Sequence, residues 1–195
     1  MAITKLNLAT GVTGVLPGAN GGGLVKISTT TIGSSVANVQ FDGSFSSTYK
    51  KYLFVATNIQ ISSNAGFYFR VMQSAASKSD SAYTMFGGGY DGGSTYRSSG
   101  GDSSTFIAPY GNSSNSSASH NHNWTVWVND PLGTNNYKIL YGQAGDMTDQ
   151  TTSSIQNGIF AGAYESASAL SGISFETSNA ATFDSGEITM FGVAR

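Results

Sequence analysis

Cysteine is absent from this 195-residue chain, and both charge and proline are scarce. Without cysteine there are no disulfides and no thiolate metal ligands. Charged residues make up only 10%, well under half of the roughly 25% found in an ordinary soluble domain. The formal net charge is -2, and no basic block occurs anywhere. A nucleic-acid binder needs a Lys/Arg stripe to release counterions from phosphates, so that class is excluded. No stretch approaches the ~20 apolar residues of a membrane span, and Met1 to Leu8 lacks the apolar core of a signal peptide. The expectation is a soluble protein with no membrane insertion, one that reaches any exported location without a cleaved leader.

Glycine, serine, threonine and asparagine take the place of the missing charge, with 25 glycines in all. Such a surface bonds hydrogen but lacks the repulsion that keeps monomers apart. Hydrophobic residues at 39% and aromatics at 12% are enough for a real core. The length suits a single β-domain.

Residues 1 to 23 differ from the rest. Leu6, Leu8, Val12, Val15, Leu16 and Pro17 alternate with small and turn residues, and Gly21-Gly22-Gly23 forms a joint, since glycine visits backbone angles that other residues avoid. Alone, this arm cannot bury its leucines and valines, so it is expected to order by docking on something else, with a disordered leader as the alternative. Residues 24 to 195 form the second unit, with alternating apolar positions broken by turn clusters. Strands are expected at 36–41, 51–61, 67–72, 82–86, 104–107, 124–128, 137–141, 158–164, 172–176 and 187–193. No window sustains helical spacing. The pattern predicts an all-β fold, an antiparallel β-sandwich of jelly-roll type with an extended N-terminal arm. Leu53, Val55, Phe67, Phe69, Val126, Ile139, Phe175 and Ile188 are the expected core. Residues 87–102 and 111–121 read as long polar loops at the exposed end.

Candidate chemistry is thin. His120 and His122 have metal-ligand spacing and, on a strand, would point to one face. One histidine pair with no Cys, Asp or Glu beside it is weak ligation, so loop-edge histidines facing solvent are expected and no cofactor is assigned. Asp91 and Asp102 with their glycines could bind calcium through loop oxygens, but solvated turn residues are the better reading. No Gly-x-Ser-x-Gly nucleophile elbow occurs. The carboxylates are scattered singly, so a depolymerase working through two of them is a remote alternative, and the chain is read as non-enzymatic. Tyr90, Tyr96 and Tyr110 sit in the polar stretches, where tyrosines can stack on sugar rings. They are the candidates for contact with a host glycan.

The arm phrase Thr13-Gly14-Val15-Leu16-Pro17-Gly18-Ala19-Asn20-Gly21-Gly22 resembles the leader of many phage tail-fibre and virion proteins. The remainder resembles a family of marine and cyanobacterial phage structural proteins. Its marks are Phe41-Asp42-Gly43 leading to Ser47-Thr48-Tyr49-Lys50-Lys51-Tyr52, then Ser171-Gly172-Ile173-Ser174-Phe175, then Ser185-Gly186-Glu187-Ile188-Thr189-Met190-Phe191-Gly192-Val193. Phe191 stands where the usual closing phrase carries Tyr. The resemblance implies a virion location, a sandwich fold, a homotrimer, and attachment to other virion proteins through the arm. It leaves two stations open, a tail fibre touching the host or a decoration protein cementing the capsid. His120 and His122 are also similar to the His-x-His iron sites of some trimeric phage fibres.

Overall fold

The computed structural model describes residues 23–63, 65–91, 95–108, 121–147 and 155–193. The arm residues Leu6, Leu8, Val12, Val15, Leu16 and Pro17, and also Tyr110 and His120, lie outside the described residues. Among the described residues every regular element is a strand: β1 (Leu24–Ile32), β2 (Asn38–Asp42), β3 (Lys51–Ile61), β4 (Phe67–Gln73), β5 (Ala76–Ser77), β6 (Tyr83–Asp91), β7 (Thr95–Ser104), β8 (His122–Asn129), β9 (Lys138–Met147), β10 (Ile155–Tyr164), β11 (Gly172–Thr177) and β12 (Phe183–Val193).

Every pairing is antiparallel. One sheet runs β1-β12-β3-β8-β9-β10-β6-β7 and the other β2-β11-β4-β5. The returning strands close the fold, β12 between β1 and β3 in one sheet and β11 between β2 and β4 in the other. With β8 and β5 added, these are the eight strands and the order of a jelly roll. The remaining strands β9, β10, β6 and β7 widen the first sheet on one side. The fold is an antiparallel β-sandwich of jelly-roll type, as the alternation predicts.

Inward-facing aromatics fill the space between the sheets. Phe54 of β3 lies edge-on to Phe41 at 5.2 Å and to Phe175 at 5.5 Å between ring centres. Trp124 of β8 stacks on Phe67 at 4.8 Å and tilts against Phe175 at 4.8 Å. Phe69 of β4 meets Phe160 of β10 at 5.4 Å. Edge-to-face and offset pairs at these distances add about 0.5–1.5 kcal/mol each beyond area burial.

The strand β3 has the bounds the sequence predicts, yet its faces differ. Tyr52, Phe54 and Ala56 point into the core, while Val55 is half-buried on the opposite face. Between Ala56 and Ile59 the register to β8 shifts, with Asn58 at φ 54°. A bulge there adds a residue and reverses the alternation. Ile59 and Ile61 therefore rejoin the core although they share parity with Val55. Ile139 is also displaced from the expected core. It is 53% exposed, and its neighbour Leu140 is the buried residue. Phe67, Phe69, Val126, Phe175 and Ile188 are core as expected.

Two segments expected as loop or strand exchange roles. Within 87–102, expected as a long loop, residues 87–91 and 95–102 belong to the paired strands β6 and β7. Gly87, Gly88 and Gly89 pair with Ser99, Ser98 and Arg97 on one side and with Phe160, Ile159 and Gly158 of β10 on the other. The strand expected at 104–107 is replaced by the end of β7 and by Ile107, which bridges Phe69 alone.

Candidate functional site

Among the described residues, the outer face of the eight-stranded sheet is a broad surface that the smaller sheet does not cover. Register fixes its rows. Leu53, Trp127, Tyr141, Ala161 and Phe86 stand side by side across β3, β8, β9, β10 and β6. The next row holds Val55, Thr125, Gln143, Ile159 and Gly88. A third runs Asn123, Gly145, Asn157, Tyr90 and Tyr96. Phe86 (51%), Ile139 (53%), Ile159 (59%) and Tyr90 (56%) are all more than half exposed.

The Trp127 and Tyr141 rings lie 6.5 Å apart at 19° to each other, and the Lys51 ammonium sits 4.3 Å over the indole and 5.4 Å from the phenol ring. Lys51 thereby spends its charge on two ring faces. Two hollows open on this face. One, of about 370 Å³, lies beside Trp127, Tyr141 and Ile159. The other, of about 350 Å³, lies over Val55, Thr125 and Gly145, with Asn123, Gln143 and Asn157 offering amides to it. The outward positions of β8, β9, β10 and β6 carry no Lys, Arg, Asp or Glu. Such a face can bind through apolar contact and neutral hydrogen bonds. Its four strands β8, β9, β10 and β6 offer no acid or base at their outward positions.

Of the tyrosines expected to touch glycan, Tyr90 and Tyr96 are directly opposed across the β6–β7 pair. They stand on strands, not in a loop, at the far edge of the sheet. His122 corrects another expectation. It opens β8 opposite Ile59 and is 1% exposed, so it faces the interior and not solvent. Asp91 and Asp102 fall near opposite ends of the hairpin, since Asp91 pairs Thr95 while Asp102 follows the Met85 to Gly101 pair. About six strand rises, some 20 Å, separate them, so they cannot share one cation. No three His, Asp or Glu residues gather into a metal site among the described residues.

Several described carboxylates accept hydrogen bonds within the fold. Glu176 pairs with Arg70 and accepts from Ser77 Oγ at 2.6 Å, while Arg70 Nε donates to the Thr105 carbonyl at 2.8 Å. This cluster, with Phe106 stacked on Tyr68 at 4.7 Å, dresses the outer face of the small sheet. Asp80 accepts from Tyr164 at 3.1 Å, Asp42 from Ser171 at 2.5 Å and Asp184 from Ser35 at 2.8 Å.

Lys138 was not legible as a special residue. In sequence it reads as the polar partner of Leu140 on a half-exposed strand. In the fold it is 1% exposed and donates to the carbonyls of Gly133, Asn136 and Ala167. Burial lowers its pKa, with Asp130 opposing the shift. The ammonium ties the β8–β9 connection to the segment after β10.

No family model matches the chain, and no curated protein or solved structure is significantly similar to it. The likeness to phage structural proteins therefore stands on the quoted residues alone.

Proposed function

We propose that this chain is a non-enzymatic structural protein of a bacteriophage particle, a tail fibre or adhesin held to the particle by its N-terminal arm. One observation supports the reading above others. The arm meets the jelly roll at β1, one edge of the large sheet, while the Tyr90–Tyr96 hairpin forms the opposite edge. Seven strand spacings separate those edges, roughly 34 Å along the sheet. A module with attachment at one edge and an aromatic hairpin at the other suits a protein that bridges a particle and a second surface. The leader-like arm supplies the attachment by extended pairing or by filling an apolar groove.

A capsid decoration protein is the second reading, favoured by the wide uncharged face, which suits lateral packing among neighbours. A quantified gel of purified particles separates the two. A fibre is expected in small multiples per particle, and a decoration protein in numbers that scale with the capsomers. Deleting residues 2–22 is expected to abolish incorporation while the domain stays folded. Normal incorporation of that variant removes the anchoring role.

A further inference from the structure

We infer that the outer face of the eight-stranded sheet is a self-association surface, covered by the same face of a second copy of this chain. The inference goes beyond the particle reading and holds whether or not the chain belongs to a particle.

Composition comes first. Aromatic and aliphatic side chains occupy the middle of the face, with Trp127, Tyr141, Phe86 and Ile159 at its heart. Lys26 and Glu187 sit toward the β1 side, and the one charge at the heart, Lys51, lies over the Trp127 and Tyr141 rings. A core depleted of charge inside a polar rim is the anatomy of protein interfaces, and homo-oligomeric ones are the most apolar. The absence of charged groups across β8, β9, β10 and β6 matters in a second way. Two identical faces meet there without like-charge repulsion, and no field selects a partner of opposite sign.

Relief comes next. Knobs and hollows share this face: exposed Ile159 borders the hollow of about 370 Å³, the hollow of about 350 Å³ shares Thr125 and Gln143 with it, and Phe86 and Ile139 stand exposed elsewhere on the sheet. A surface carrying both can complement itself across a two-fold axis, each knob entering the partner's hollow. A flat or uniformly convex face could not. The knobs are aliphatic and phenyl groups with no hydrogen-bonding atoms, which disfavours a polysaccharide as the occupant.

Area is sufficient. Five strands at ~4.8 Å and about seven residues at ~3.3 Å per residue give on the order of 550 Å² per copy. The pair buries roughly 1,100 Å², just above the ~1,000 Å² expected of a specific interface.

Sedimentation velocity on the full chain at micromolar concentration tests the inference. The wild type is expected to sediment as a dimer, and Ile159→Lys and Phe86→Lys each as a folded monomer with the far-UV circular dichroism of the wild type. Both side chains are more than half exposed, so neither change should disturb folding. Two results would overturn the inference. The wild type could be monomeric, or the oligomer could survive both substitutions. A monomeric wild type whose tryptophan fluorescence responds to dextran would instead assign the face to a neutral glycan. Deleting residues 2–22 is expected to leave the oligomer intact. A monomer that oligomerises only after that deletion would show that the arm covers the face.

Discussion

A Cβ on Gly142 would lie 1.8 Å from the Thr125 carbonyl oxygen and 2.7 Å from the Phe160 ring. Glycine is required there by close approach, because it lets Phe160 lie over β9 and reach Phe69. Gly142→Ala is expected to cost more than ~2 kcal/mol, from overpacking against a backbone that cannot give way. A urea titration followed by tryptophan fluorescence measures it, and a shift within ~0.5 kcal/mol would mean β9 yields more easily than its contacts imply. Lys138 makes the opposite kind of demand. Lys138→Met keeps the aliphatic stem but leaves three carbonyls without their ammonium, at a cost of about 1–3 kcal/mol. Neither residue stood out in the sequence. One was a glycine among 25, the other a lysine at a half-exposed parity, and only the third dimension shows what each touches.

Elements were more legible than the faces they present. The eleven residues of β3 have the expected bounds, because apolar residues recur along it, with Tyr52, Phe54, Val55, Ile59 and Ile61 among them, between polar clusters. Which of them face inward was misread, since a period-two reading carries no sign of a bulge. The bulge is written in one residue, Asn58, whose positive φ asparagine tolerates better than most. Its N–H donates to Asn123 Oδ1 at 2.9 Å, so β8 holds the bulge in place. Asn58→Val is expected to cost about 1–2 kcal/mol through the left-handed backbone. Asn58→Gly should be within a few tenths of neutral. If valine is tolerated as well as glycine, backbone conformation does not fix the bulge. The β6–β7 hairpin was missed for the converse reason. Glycine and serine dominate its sequence, so it reads as loop, yet β6 pairs on both sides and β7 along its inner side, and aromatic residues such as Tyr90 and Phe86 stand on its flank. The candidate surface was hidden by the same two errors, since Val55 and Ile139 were assigned to the core when they help build the outer face.

At the scale of the whole molecule, the scarcity of charge makes the alkaline limb of the stability curve unusually readable. Tyr164 has its pKa pushed up from 10.0 to about 12, first by burial, then by its hydrogen bond to Asp80 and the charge of that carboxylate. Burial also pushes Tyr83 upward, opposed by its bond to the Val71 backbone. A folded pKa above the unfolded one means that the unfolded chain loses its proton first. The stabilisation is complete below pH ~10 and is lost as pH climbs through the folded value. Lys138 works with the opposite sign. Its folded pKa lies below 10.5, so folding is penalised while the unfolded lysine is protonated, and that penalty fades as pH approaches 10.5. Stability is therefore expected to hold or rise slightly up to pH ~10 and then fall steeply. Holding the Tyr164 ionisation near 12 means withholding it from a chain that would ionise near 10, worth on the order of 2 kcal/mol. Tyr164→Phe removes an ionisation and should flatten the fall above pH 10 by about that amount, because Asp80 is exposed and water can replace the lost hydroxyl. Lys138→Met should erase the rise below pH 10 and leave the fall in place. Urea midpoints measured from pH 7 to pH 11.5 on the three proteins decide the matter. If wild type and Tyr164→Phe fall in parallel, the buried tyrosines do not govern alkaline unfolding, and the loss must arise elsewhere in the roll.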